Sequence, residues 1–228
     1  MSSRLEEFAA AVGTEGPVCV RGGGTQWDVG GPPAPGVREV AAPAGVVHHE
    51  PAEMVVRVNA GTTLADLQDA VGQAGQWVPL DAPEPQRATV GGLLAVGRAG
   101  YRRLRYGPVR DVLLEARFVT AEGSVAKAGA PLVKNVTGFD VCRLLVGSLG
   151  TLGLLGEVVL RCLPVPQVTR WWASRSADPF DTWAALYRPS AVLWDGTSTW
   201  VALEGEAVEV VHQAASVLGS GWEEVPCP

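Results

Sequence analysis

The chain has 228 residues, 47% of them hydrophobic, which is enough to bury a sizeable core without disulfides or metals. Its formal net charge is −6, and its basic residues are dispersed except between Arg98 and Arg110. That pattern excludes a continuous nucleic-acid footprint.

In chain order, the opening MSSRLEEFAAAVG carries acids where a signal peptide needs a basic start, and no apolar run reaches transmembrane length, so a cytoplasmic protein is expected. Residues 5–12 have helical apolar spacing and 17–21 (PVCVR) read as a short buried strand, followed at once by a glycine run. Residues 54–58 (MVVRV) read as a strand. Adjacent His48 and His49 precede it, facing opposite sides, so neither is expected to hold a metal. The clearest helix spans 62–75: Thr63 caps it with Asp66 in the capping-box position, Leu64, Leu67, Ala70 and Val71 make one face, and Gly75 ends it. A strand at 112–120 meets the turn Ala121-Glu122-Gly123 and returns through 124–128 as a hairpin. A helix is expected at 139–146 and a mostly buried strand at 152–163. Pro164 and Pro166 then close the domain, giving two domains, 1–164 and 165–228. The second reads β-α-β-β-α-β: strand 168–174, helix 179–188 capped by Asp178, a hairpin of 191–195 with 200–203 around Gly196, helix 206–218 and strand 222–225. That order is ferredoxin-like. Cys19, Cys142, Cys162 and Cys227 are isolated, without CxxC spacing, and read as free thiols with no metal site.

Gly (28) and Pro (17) are both frequent, as in a chain that holds an extended cofactor along its loops, although a ligand-free β-protein rich in turns has the same composition. Three glycine segments stand out. Arg21-Gly22-Gly23-Gly24-Thr25-Gln26-Trp27 follows a strand, and its consecutive glycines can turn N–H groups inward as an anion nest. Trp27 takes the third glycine position of a Rossmann fingerprint and Gly30-Gly31-Pro32-Pro33 forbids the helix that should follow, so that fold is a poor match. Thr89-Val90-Gly91-Gly92 through Ala99-Gly100 places small residues where a flat ligand can lie on backbone, with the diglycine as further donors. Gly147-Ser148-Leu149-Gly150-Thr151-Leu152-Gly153 alternates glycines with hydroxyls, which suits a phosphate or an adenosine. Each alone also reads as turn chemistry. Three in this order are harder to dismiss.

With PVCVRGGGT, VVRVNAGTTLADLQDAV, ATVGGLLAVGRAG, YGPVRDVLLEARFVTAEG and VKNVTGFDVCRLLVGSLGTLGLLGEVVLRCLP in view, residues 17–164 resemble the FAD-binding domain of the vanillyl-alcohol-oxidase / p-cresol-methylhydroxylase superfamily. Within it they are most similar to the smaller FAD-binding subunits of bacterial glycolate oxidase. The resemblance implies an α+β fold: a two-subdomain FAD-binding domain followed by a small partial cap. It implies that Arg21, Gly22, Gly23, Gly24, Thr25, Gln26, Pro83, Thr89, Val90, Gly91, Gly92, Ala99, Gly100 and Asp140 lie along the cofactor. Gly147, Ser148, Gly150, Thr151, Gly153, Leu154 and Leu155 would take its ribose and adenine end. Because the first loop has no histidine, dissociable FAD is expected. Arg102, Arg103 and Tyr106, in the one concentrated basic and aromatic stretch, are candidates for holding a substrate carboxylate, with a solvated loop as the equal alternative.

Oxidising a 2-hydroxy acid needs a base, a cation for the carboxylate and hydride transfer to flavin. No catalytic base is identifiable here, and His212, among Val210, Val211, Ala214 and Ala215, reads as a packing residue. The short cap and the crowding of Trp171, Trp172, Trp183, Trp194, Trp200 and Trp222 point to interface anchors. The expected function is therefore the FAD-binding subunit of a 2-hydroxy-acid oxidase, partnered, as the resemblance implies, by a larger flavin subunit and an iron–sulfur subunit. The alternatives are a non-catalytic assembly subunit that keeps the fold, and a flavin oxidase acting on another alcohol or a sugar.

Overall fold

Apolar residues three and four apart put Leu5, Phe8 and Val12 on one buried face of helix α1 (Ser3–Val12). The helix ends at Gly13, and Arg38 donates to the carbonyls of Ala11 and Val12 that the last turn leaves open. The computed structural model describes residues 3–131 and 139–227. Its contacts divide the chain into two compact units: Met1–Arg98 with Pro108–Pro164, and Ala99–Gly107 with Val165–Pro228.

In the first unit, β1 (Val18–Val20) and β2 (Arg38–Val40) form a parallel pair. The main sheet has the order β3-β4-β8-β6-β7, all antiparallel, from β3 (Val46–Glu50), β4 (Val55–Asn59), β6 (Leu113–Val119), β7 (Val125–Gly129) and β8 (Leu154–Arg161). A small antiparallel pair joins β5 (Gln76–Trp77) to β9 (Leu163–Pro164). Three helices complete the unit: α2 (Leu64–Gly72), α3 (Val90–Val96) and α5 (Val141–Leu145). Strand alternation sorts the sheet into two faces. Val56, Val58, Ala116, Val158 and Leu160 are fully buried on one. On the other, Arg57 bridges Glu115 and Glu157 at 2.9 Å to each, and Lys127 lies 3.0 Å from Glu115.

Thr63 caps α2 as expected, its hydroxyl accepting from Asp66 N at 3.1 Å. Replacing it with alanine should lower stability by about 1 kcal/mol, read as a shift of the urea midpoint with an unchanged slope. The double histidine is inside a strand, not before one: β3 is an edge strand, so His49 meets Gln76 on one side while His48 approaches Glu50 on the other. Helix α5 is shorter than the 139–146 segment expected, because Asp140 caps it and Val146 is already extended. The start of its motif, 133–138, lies outside the described residues. Burial raises the thiols of Cys142 and Cys162 to about 11 and about 12, which keeps both protonated and inert.

The second unit contains β10 (Val168–Ser174), β11 (Ala191–Trp194), β12 (Thr199–Gly205) and β13 (Glu223–Val225), with helices α6 (Pro179–Ala185) and α7 (Ala207–Val217). Its antiparallel sheet has the order β11-β12-β10-β13, as in a ferredoxin-like β-α-β-β-α-β unit. It also takes in Ala99–Gly107 with the one-turn helix α4 (Arg103–Tyr106), a piece that a division at Pro164 leaves in the other domain. The sheet therefore has two cores. Trp172, Leu186, Val201, Leu203, Val210 and Ala214 pack on the helical side. Trp171, Ala191 and Ala202 pack on the other with Tyr101, whose ring meets Trp171 edge-on at 5.4 Å. Two cores absorb more indole than one, which corrects the expectation of six interface tryptophans: Trp200 and Trp222 pack against these clusters as well, and Trp183 and Trp194 alone are more than half exposed.

Candidate dinucleotide site

Parallel pairing of β1 with β2 continues one residue past the strand, Arg21 N donating to Val40 O at 2.9 Å, and then stops. From Gly22 to Gln26 the chain turns. Among the described residues, no acceptor takes a hydrogen bond from these five main-chain N–H groups or from the Thr25 hydroxyl. Gln26 Oε1 is buried with no partner. The amides stand open on partly exposed backbone, while the buried Gln26 Oε1 is an acceptor whose unmade hydrogen bond costs about 1–3 kcal/mol. Closely spaced N–H groups with no acid among them select an anion.

The loop keeps this shape because it lies directly on the second glycine segment. A Cβ at Gly22 would stand 2.3 Å from Thr89 Oγ1, and one at Gly23 only 1.7 Å from Arg87 O. Arg87, paired with Glu84, holds the Gly23 carbonyl at 3.1 Å. Sequence reasoning missed Arg87, whose signal is a cation three residues after an acid in a proline-bounded turn.

The second segment differs from expectation in one respect. Its amides are spent within the protein: Val90 N donates to Thr62 O, Gly91 N to Ala60 O, and Gly92 N to the capping Thr89 Oγ1. The diglycine therefore supplies closeness, not donors. A Cβ at Gly91 would meet Ala60 Cβ at 2.9 Å, so glycine lets α3 sit against the turn between β4 and α2.

The third segment closes on the end of α3. Gly147 N donates to Leu94 O at 3.0 Å and Leu149 N to Ala95 O at 2.9 Å. A Cβ at Gly97 would lie 3.1 Å from Gly147 Cα, and one at Gly30, just past the first loop, 3.5 Å from Leu149 Cδ1. The structure thus brings the three segments together in the first unit. Ser148 and Thr151 direct their hydroxyl protons to Leu145 O and Ser148 O, leaving oxygen lone pairs outward but no free O–H.

The other residues singled out fall as follows. Arg21 pairs with Glu39 at 2.9 Å and lies over Trp27. Pro83 is exposed in the loop that carries Arg87. Asp140 caps α5. Gly153 packs against Phe118, Leu154 against the α1 cluster, and Leu155 is buried at the start of β8. Ala99 and Gly100 belong to the second unit. There Arg102 Nε lies 3.1 Å from Glu204 Oε1, whose side chain is fully buried. Tyr106 also bonds Glu204; burial first, then that carboxylate, raises its hydroxyl to about 12. Arg102 and Tyr106 are thereby turned to an internal acid, while Arg103 is exposed.

A loop of five open amides, closed by two further glycine segments beside an antiparallel sheet, has the chemistry of a main-chain site for a phosphate-bearing dinucleotide. The chain belongs to the FAD binding domain family, which matches residues 5–129; FAD is its cofactor. It is 30% identical to glycolate oxidase subunit GlcE of Escherichia coli, over 97% of this chain and 67% of that one. Similarity to glycolate oxidase subunit GlcD of Bacillus subtilis is 33% over 51% of this chain, and to a D-lactate dehydrogenase of Archaeoglobus fulgidus 34% over 65%. The chain spans only 25% and 33% of those two proteins. An alkyldihydroxyacetonephosphate synthase has the same fold, with a TM-score of 0.73 at 18% identity, covering 94% of this chain and 48% of the other. The residues present fit FAD: its pyrophosphate carries two negative charges, and open amides answer them without burying lysines.

Proposed function

We propose that this chain is the FAD-binding subunit of a 2-hydroxy-acid oxidase or dehydrogenase of the glycolate type, acting in a complex with a larger flavin subunit and an iron–sulfur subunit. The observation that carries the reading is the Gly22–Gln26 loop, whose open amides and Thr25 hydroxyl would hold the FAD pyrophosphate, while Gln26 Oε1, an acceptor, would take an O–H or N–H of the cofactor. Thr89 to Gly92 set that loop at its height. Gly147 to Gly153 would pass along the ribose and adenine end. The flavin supplies a two-electron acceptor for hydride when bound. The binding is dissociable, because 21–27 contains no histidine, cysteine or tyrosine to bond it. With Arg102 and Tyr106 committed to Glu204, Arg103 is the one of those three candidates left to meet a substrate carboxylate.

No helix among the described residues is long and apolar enough to cross a membrane, which agrees with a cytoplasmic subunit that reaches a membrane only through partners. Support for the substrate class comes from the glycolate oxidase and D-lactate dehydrogenase relatives.

The test is spectral. The purified chain should be yellow and should release free FAD on heating. Anaerobic glycolate or D-lactate should bleach the flavin bands of the assembled complex. A colourless chain that takes up no FAD would overturn the cofactor assignment. A complex that neither acid bleaches, but another alcohol or a sugar does, would overturn the substrate class.

A further inference from the structure

Helices α6 and α7 of the second unit each bury one face and leave the other apolar. Leu186, Val210 and Ala214 point into the core beneath them. On the opposite side, Phe180 is 76% and Trp183 53% exposed on α6, and Tyr187, just past its end, is 75% exposed. On α7, Val208 is 80% and Val211 48% exposed. Phe180 and Trp183 on α6, and Val208 and Val211 on α7, are each three residues apart, the spacing of one helical stripe; Leu186 is already extended, so Tyr187 follows the helix instead of its stripe. Gln213 of α7 donates to Tyr187 O at 3.1 Å, tying the two stripes into one layer.

A monomer rarely shows solvent a contiguous apolar patch beyond a few hundred Å², and three such aromatics alone represent an area on that order. The identity of the patch matters as much as its size: tryptophan and tyrosine are the residues that anchor interfaces. Its rim is mostly acidic, with the exposed Arg188 beside Tyr187 as the exception. Asp178 and Asp181 flank Phe180, Glu206 and Glu209 flank Val208, and neither helix contains a lysine or an arginine. Two copies meeting through this face would bring acid against acid. A partner with an apolar groove edged by lysine or arginine meets both features.

We infer that the outer face of α6 and α7 is the docking surface for a different polypeptide, apolar at its centre and basic at its rim. This rests on the proposed multi-subunit complex and assigns that face to the larger flavin subunit.

The experiment co-expresses the tagged full chain with the larger flavin subunit from the same genome, and measures association and its salt dependence. Trp183→Glu and Val208→Glu should each weaken the complex about 30-fold in Kd, and raising salt should weaken the wild-type complex. Val47→Glu, an exposed apolar position in the first unit, should leave it unchanged. An unchanged urea unfolding midpoint of the second unit shows that the Trp183 and Val208 variants are folded, and retained FAD shows it for Val47→Glu. Wild-type association with undiminished binding by both variants would overturn the surface and leave the complex reading intact. No association by the wild type would overturn the complex reading itself. A wild-type dimer that Trp183→Glu converts to monomer would overturn the heterologous partner.

Discussion

Gly23→Ala should purify without colour and bind added FAD about 100-fold more weakly than the parent, a loss of about 3 kcal/mol. The cause is not backbone strain, since Gly23 does not occupy the left-handed region. It is contact: the new methyl would stand 1.7 Å from Arg87 O, a main-chain atom with no rotamer to give. The loop has to lift off the Thr89 segment, which displaces the open amides of Gly22 to Gln26 that would answer the pyrophosphate. Gly72→Ala is the control. It sits at the end of α2 with nothing within 4 Å of its added carbon, and should keep its flavin and gain up to about 1 kcal/mol. Absorbance after desalting gives the flavin content. Thermal unfolding gives an independent reading, because a ligand that binds only the folded state stabilises it by about 1.4 kcal/mol for each tenfold excess above Kd. Wild-type protein should therefore show a Tm that climbs with added FAD, and Gly23→Ala one that stays nearly flat. Full flavin content in Gly23→Ala would remove the first loop from the site.

Much of this architecture was legible because its signals are local. Thr63 with Asp66, the Ala121-Glu122-Gly123 turn, and the alternation of strands and helices after Pro164 each act within a few residues, and each appears in the structure. The segments that misled depend on distant partners. Strand β1 is legible, but its partner β2, three residues long and beyond a stretch rich in glycine and proline, is too short to show a period. Strand β3 spells VVHHE, which looks polar because an edge strand shows solvent one side. In the candidate site, the glycines were visible but their division of labour was not. Whether a glycine offers its amide or only its missing side chain depends on which carbonyl faces it, and for Gly91 that carbonyl belongs to Ala60, in another element. The stretch Ala99–Gly107 is the extreme case: its partner, Glu204, lies about a hundred residues further on.

That partner sets the second large effect. Arg102→Met should destabilise the second unit by about 3–5 kcal/mol, because it strands a fully buried carboxylate without its cation. Glu204 also accepts from Thr169 Oγ1 at 3.1 Å and bonds Tyr106, so one acid joins β10, β12 and the Ala99–Gly107 segment. Removing the arginine leaves those neutral donors unable to offset a buried charge. The double variant Arg102→Met with Glu204→Leu should regain most of the loss, since an apolar pair of similar volume avoids the desolvation of both ions. A strongly non-additive cycle is thus the expected signature. Trp171 and Trp172, on opposite faces of β10 in this unit, report it through fluorescence during urea unfolding. Tyr106→Phe should cost less, about 1.5–3 kcal/mol, as for one hydrogen bond to a charged acceptor. If Arg102→Met instead unfolds like the parent and loses only catalytic turnover, Arg102 serves a substrate carboxylate, and the acid beneath it is held by Thr169 and Tyr106 alone.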